Sequence, residues 1–121
     1  MPINFEDIDA HARRIFISGR LDIAGTADIE MQFTSLAASA KRQVLVDLTQ
    51  VSFLASIGIR ALVSNAKAVK MRGGKMVLFT GNNDVVAKTL HATGIDQVMP
   101  IHGDIAEAEK AAFSRDISSS L

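Results

Sequence analysis

The residues with chemistry to offer cluster between Asp47 and Ser64, and Ser56 is the central one. It follows the apolar run Val44-Leu45-Val46 and precedes Ile59, Leu62, Val63, Ala66 and Val69, which recur at spacings of three and four. That spacing predicts an amphipathic helix opening at Ser56, with Arg60, Ser64, Lys67 and Lys70 largely on its wet side. At such a start a serine hydroxyl accepts a hydrogen bond from one of the first free N–H groups, a cap contributing about 1 kcal/mol. The same end carries partial positive charge, so an anion, including a phosphate esterified to Ser56 itself, is favoured there. As a nucleophile the hydroxyl is poorly served: Ala55-Ser56-Ile57-Gly58 lacks the Gly-x-Ser-x-Gly elbow and the base and acid that would activate it. Ser56 reads as a cap or as a substrate for another enzyme.

The neighbours of Ser56 suggest contact with something else. Phe53, Leu54 and Ile57 gather more apolar surface than a solvated connection needs. Leu54, Ser56 and Ile57, with Arg60 and Ser64 on the following turns, are the candidate partner-binding set. Gly58 costs roughly 1 kcal/mol of helix propensity against alanine, and its use is to let another backbone or chain come close. Asp22 and Asp47 both stand where strands are expected to end. Two carboxylates sharing a rim with Ser56 would hold a magnesium ion or orient a nucleotide; the alternative is that each caps a turn. Lys67, Lys70 and Arg72 form a basic run that would attract an acidic partner or simply line a solvated helix face.

The elements that must position these groups follow from periodicity. A short edge strand is expected over Ile3 to Asp7, then a turn and a strand from Arg13 to Gly19 around Ile15-Phe16-Ile17. A first helix should start near Thr26 or Asp28 and bury Ile29, Phe33, Leu36, Ala37 and Ala40. Val44 to Val46 is a strand covered on both faces, with Asp47 ending its run. After the Ser56 helix, Gly73-Gly74 is a stop and turn, and Met76 to Phe79 is a second buried strand. Asn83 or Asp84 should cap a short helix carrying Val86, Leu90 and His91 and ending at Gly94. Gln97 to His102 is a last edge strand despite Pro100, and Asp104 to Glu107 resembles a capping box opening a final helix. The expected fold is a single α/β domain over residues 1–113, a mixed sheet of four to five strands covered by about four helices. Residues 114–121 are expected to form a flexible, serine-rich tail.

Composition narrows the functions. Lysine plus arginine and aspartate plus glutamate each number 13, so no global charge points to nucleic acid or to an anionic membrane. The only aromatic residues are six phenylalanines, which argues against a base-stacking surface. The absence of cysteine removes disulfides and thiolate zinc sites. His11, His91 and His102 are too scattered for a ligand set, and no Gly-x-x-x-x-Gly-Lys-Ser/Thr loop, Gly-x-Gly-x-x-Gly fingerprint or His-Glu-x-x-His helix is present. No metal, cofactor or enzymatic activity is expected. The acidic amino terminus lacks an export signal and no window approaches the ~20 apolar residues of a membrane span, so a cytoplasmic protein without membrane insertion is expected.

The run Asp47-Leu48-Thr49, Val51, Phe53-Leu54, Ser56 and Gly58-Ile59 resembles the signature of STAS domains, the anti-sigma-factor antagonist family. Gly19-Arg20-Leu21-Asp22 is similar to that family's Gly-Glu-Leu-Asp, and Leu90 to Asp96 to its Leu-x-x-x-Gly-Leu-Asp, so the likeness runs through nearly the whole chain in order. Ala55 stands where the family pattern has aspartate, and Ile57 where it has a second hydroxyl residue. The resemblance implies a partner-switching regulator of transcription. An anti-sigma factor that is also a serine kinase would phosphorylate Ser56, a metal-dependent serine phosphatase would reverse the step, and the unmodified form would hold the anti-sigma factor. Two rivals stand beside it: a STAS scaffold subunit of a signalling or lipid-transport assembly in which Ser56 is never phosphorylated, and a weak nucleotide-binding domain built on Asp22, Asp47 and the Ser56 helix. No feature of the sequence sets the number of chains in the assembly.

Overall fold

The structure, a computed structural model, describes residues 2–38 and 43–114. Ala40 of the expected first-helix stripe, and the tail from residue 115 onward, lie outside the described residues. Five strands form one sheet in the order β1 (Ile3–Asp7), β2 (Ala12–Leu21), β3 (Gln43–Leu54), β4 (Lys75–Phe79) and β5 (Ile101–His102). β1 runs antiparallel to β2, and every other neighbouring pair is parallel. A parallel pair needs a crossover, and each crossover here carries a helix. The helices are α1 (Ile23–Ala37), α2 (Ser56–Met71), α3 (Asp84–Ala92) and, after β5, α4 (Ile105–Phe113). All four start at the edge of the sheet where β2 to β5 end.

The core divides at the sheet. On one face Ile15, Ile17, Val44, Val46 and Leu48 pack against Ile29 and Phe33 of α1, Leu62, Ala66 and Val69 of α2, and Val86 and Leu90 of α3. On the other, Leu45, Val77 and Phe79 meet Ala108 and Ala112 of α4. Both faces of β3 are covered, which is why Val44 to Val46 is apolar without alternation. The small alanines of α4 are the residues buried against the sheet, so this short helix sits close to it.

Several features differ from the sequence reading, the first being β2, which does not stop at Gly19 but stays paired with β3 through Leu21. β3 does not stop at Asp47 but continues to Leu54, because two register shifts against β2 insert extra β3 residues, opposite Phe16/Ser18 and opposite Gly19/Arg20. Such bulges re-phase a strand, and the core positions of β3 accordingly fall at Val44, Val46 and Leu48 and then at Val51 and Leu54. Period-two reading loses the strand at the first bulge. The helix α1 begins at Ile23, earlier than Thr26, because the Asp22 side chain caps it by accepting from Gly25 N–H at 2.9 Å. Gln97 lies in a single 3₁₀ turn (Ile95–Gln97) and only Ile101–His102 pair as a strand. Arg72 is not part of a basic helix face, since it lies just past α2 and donates to the Ala37 carbonyl at the end of α1.

Asn83 joins two layers. Its Oδ1 accepts from Val86 N–H at 3.3 Å to cap α3, while its Nδ2 donates to the carbonyls of Leu48 at 3.0 Å and Val51 at 2.7 Å, the residues flanking the first bulge. Two donations to β3 and one capping acceptance pass through a single amide. Asn83→Ala should lower unfolding free energy by about 2 to 4 kcal/mol in urea denaturation. Asn83→Asp keeps the capping oxygen, loses the donors and should be no better than the alanine variant, because its carboxylate faces those carbonyls.

Candidate functional site

The carboxyl ends of β2 and β3 bring the site together. Leu21 pairs with Leu54, and Ala55 N–H donates to the Leu21 carbonyl at 3.0 Å, so the chain leaves β3 held against the end of β2 and turns into α2. Gly58 then lies flat on that junction. A Cβ there would meet Leu21 Cβ and Leu54 Cδ1 at 2.9 Å and the Leu21 carbonyl oxygen at 3.0 Å. The close approach read from Gly58 is therefore to the chain's own β2. Gly25, at the start of α1, is under a harder constraint, since a Cβ would fall 1.7 Å from the Arg20 carbonyl oxygen. Two glycines let α1 and α2 begin side by side over the strand ends.

Ser56 is the first residue of α2 and is exposed. Its expected role as the cap does not hold: the N-cap is Ala55, with extended backbone and no side-chain hydrogen bond to the helix end. The Ser56 oxygen is one position too far into the helix to reach back to those amides. By contrast Asp22, Asn83 and Asp104 each cap their helices with a side-chain oxygen. Ile59 N–H is the first to close a turn of α2, onto Ala55 C=O at 3.1 Å. The N–H groups of residues 56 to 58 precede that first turn bond. The Ser56 hydroxyl makes no hydrogen bond among the described residues.

The rest of the expected partner surface divides. Arg60 and Ser64 are exposed and Ile57 is half-buried, but Leu54 is 6% exposed and belongs to the core beneath α2. The bulges explain this, since they turn Leu54 inward and leave Phe53, at 39% exposure, on the surface. Two further residues at this edge escaped the sequence reading. Ile23, 76% exposed, opens α1 beside the Ala55 turn. Arg20, the register partner of Phe53, stacks on its ring with the guanidinium carbon 4.5 Å from the centroid and pairs with Asp22 at 3.2 Å. Only the register across β2 and β3, invisible in a linear pattern, joins Arg20 to Phe53.

Asp22 and Asp47 do not share a rim. Asp47 is buried within β3, paired with Phe16, and Asp22 lies six residues beyond Phe16, roughly 20 Å along the strand. Asp47 Oδ2 holds Arg14 at 2.7 Å, and its Oδ1 accepts from Thr49 N–H at 2.9 Å and Thr49 Oγ1 at 2.6 Å. The Arg14 guanidinium in turn lies beside the rings of Phe16 and Phe79, at 5.0 and 5.8 Å. This is a structural ion pair on the α4 face of the sheet. Neither carboxylate lines the open hollow at the ends of β3 and β4, formed by Thr49, Gln50, Ser52, Asn82 and neighbours, nor the groove between β1 and α1. Among the described residues no cluster of three His, Cys, Asp or Glu is placed to hold a metal ion. No helix among them is long and apolar enough to cross a membrane.

An α/β domain with a mixed five-stranded sheet and all helix starts on one edge has known counterparts. The chain belongs to the STAS-domain family, whose profile matches residues 5–108. It is 24% identical over 99 residues to an anti-sigma-B factor antagonist of Listeria monocytogenes, covering 82% of this chain and 86% of that one. Among solved structures it is similar to an anti-sigma-factor antagonist (STAS) domain protein of Planctomyces limnophilus, at 28% identity and a TM-score of 0.73 over 88% of this chain and 92% of that one. An anti-sigma factor antagonist from Mycobacterium paratuberculosis shares the fold, with a TM-score of 0.78 at 20% identity over 91% and 93% of the two chains.

Two outcomes follow from the site geometry. Because the Ser56 hydroxyl caps nothing, Ser56→Ala should change unfolding free energy by less than about 0.5 kcal/mol; a loss near 1 kcal/mol would show that the hydroxyl bonds the helix end after all. The Gly25 N–H bond, reinforced by Arg20, holds the Asp22 carboxyl below the ordinary aspartate pKa. A depressed folded pKa contributes stability above the unfolded value that is lost as pH falls through the folded one. Thermal unfolding from neutral pH down to about pH 3 should therefore show a smaller acid-induced fall in Tm for Asp22→Asn than for the parent protein.

Proposed function

We propose that this domain is an anti-sigma-factor antagonist of the cytoplasm, a partner-switching regulator controlled by phosphorylation of Ser56. The observation that carries the reading is the exposed Ser56 hydroxyl, without a hydrogen bond among the described residues, on the first residue of a helix whose N-cap side chain makes no capping bond. Family membership and relatives named as anti-sigma factor antagonists supply the class of partner. In the unmodified state Ile57, Arg60 and Ser64, with Phe53 and Ile23 beside them, dock on an anti-sigma factor that is also a serine kinase. Its bound ATP supplies the phosphoryl group: Ser56 Oγ attacks the γ-phosphorus, the bond to ADP breaks, and the hydroxyl proton passes to a base of the kinase. A serine phosphatase returns the hydroxyl by hydrolysis of the ester, releasing inorganic phosphate.

The phosphate requires no refolding, because a helix start tolerates an anion. It acts on the partner by charge. With a partner carboxylate near 4 Å, each unit-charge pair costs ~4 kcal/mol at an effective dielectric of 20 before screening, which approaches a thousandfold in affinity. Ala55 and Ile57, which depart from the family pattern on either side of Ser56, favour one second reading: a STAS scaffold subunit in which Ser56 is never modified. The two separate cleanly in one experiment. Incubation with the anti-sigma-type kinases of the same cell and ATP, followed by intact mass spectrometry, should add one phosphate to the wild-type chain and none to Ser56→Ala. A phosphate that persists on Ser56→Ala excludes Ser56 as the acceptor, and a stable complex indifferent to phosphatase and to Ser56→Asp puts the scaffold in place of the switch.

A further inference from the structure

The wet face of α2 is cationic, and its cations are not equivalent. The helix contains no acidic residue; Arg60, Lys67 and Lys70 are exposed on it, and Arg72 beyond its end is tied to the Ala37 carbonyl. Arg20, the other guanidinium at this edge of the sheet, is engaged by Asp22 and by the Phe53 ring. The Arg60 guanidinium has neither an ion pair nor a hydrogen bond among the described residues. It follows Ser56 by four residues, so the two exposed side chains are neighbours one turn apart on the same face. Helical side chains lean toward the helix amino terminus, so a side chain as long as that of Arg60 is able to reach back toward position 56.

We propose that Arg60 is the built-in counter-cation of a phosphate on Ser56. Before modification it stands unpaired and available to a carboxylate of an acidic partner surface. After modification it closes onto the phosphate and is withdrawn from the partner. One phosphoryl group therefore changes two charges at the docking face, adding an anion and removing a cation. The planar guanidinium suits this better than an ammonium would, because it can take two phosphate oxygens together. Lys67 lies eleven residues beyond Ser56, about 16 Å along the helix axis, and cannot reach.

The proposal rests on Ser56 being the acceptor, and its test is independent of any kinase. Phosphoserine is installed at position 56 of the full chain by genetic-code expansion, and its second ionisation is followed by phosphorus-31 NMR. A guanidinium paired with the phosphate favours the dianion over the monoanion and so lowers that pKa. The pKa should be about 0.15 to 0.4 unit lower with Arg60 present than in Arg60→Ala, a difference that shrinks at 1 M salt. Arg20→Ala and Lys67→Ala should leave it where it is. Equal values with and without Arg60, or a rise produced by Arg20→Ala in place of Arg60→Ala, overturn the proposal. Failure of the kinase experiment with a positive NMR result would instead remove the modification and leave the pair intact.

Discussion

The contact on which the rest depends is the one between Gly58 and Leu21. With only a hydrogen at position 58, the first turn of α2 can lie against the end of β2, where any Cβ would meet atoms at about 3 Å. The Ala55 N–H bond to the Leu21 carbonyl fixes the same junction from the backbone side. Together they determine how far α2 is drawn back over the sheet, and hence that its first residue ends at the surface. The helix propensity lost at a glycine is small beside the clash that a side chain would bring.

That junction also decides which groups surround Ser56. Two bulges in β3 turn Leu54 into the core and Phe53 outward, and the β2 register sets Arg20 on the Phe53 ring with Asp22 beside it. Asp22 is thereby occupied twice, by a guanidinium and by the cap of α1. The edge consequently presents one engaged cation, one engaged anion, an exposed phenylalanine and isoleucine, and an Arg60 guanidinium unpaired among the described residues. Such a surface has apolar area to bury and a net charge that a single phosphate can reverse locally.

The helix ends show why Ser56 is available at all. α1, α3 and α4 each have a side-chain oxygen at the N-cap, and α2 has a methyl group there. The family pattern carries an aspartate at that position, a side chain well suited to cap. With Ala55 in its place the cap is missing, yet Ser56 does not substitute for it, because it lies inside the first turn. A hydroxyl that stabilises nothing can be modified without loss to the fold, which is the property a reversible switch requires.

Much of the architecture was legible in the chain itself. Apolar runs of strand length, helical spacing in the segments between them, and glycines at the stops set the order of strands and helices, because those patterns answer to local geometry and to which side of an element is buried. Asp104 was readable as a cap for the same reason, Asn83 as one of two candidates with Asp84, and Ser56 as standing at a helix start. Tertiary structure alone decided what became of the neighbours. The bulges that prolong β3 past Asp47 depend on its pairing with β2, and a period of two cannot register an inserted residue. Asp47 left the candidate rim because Arg14, thirty-three residues away in sequence, neutralises it within the sheet. Leu54 was lost from the surface and Arg20 gained by register, a relation between two strands that neither strand encodes by itself.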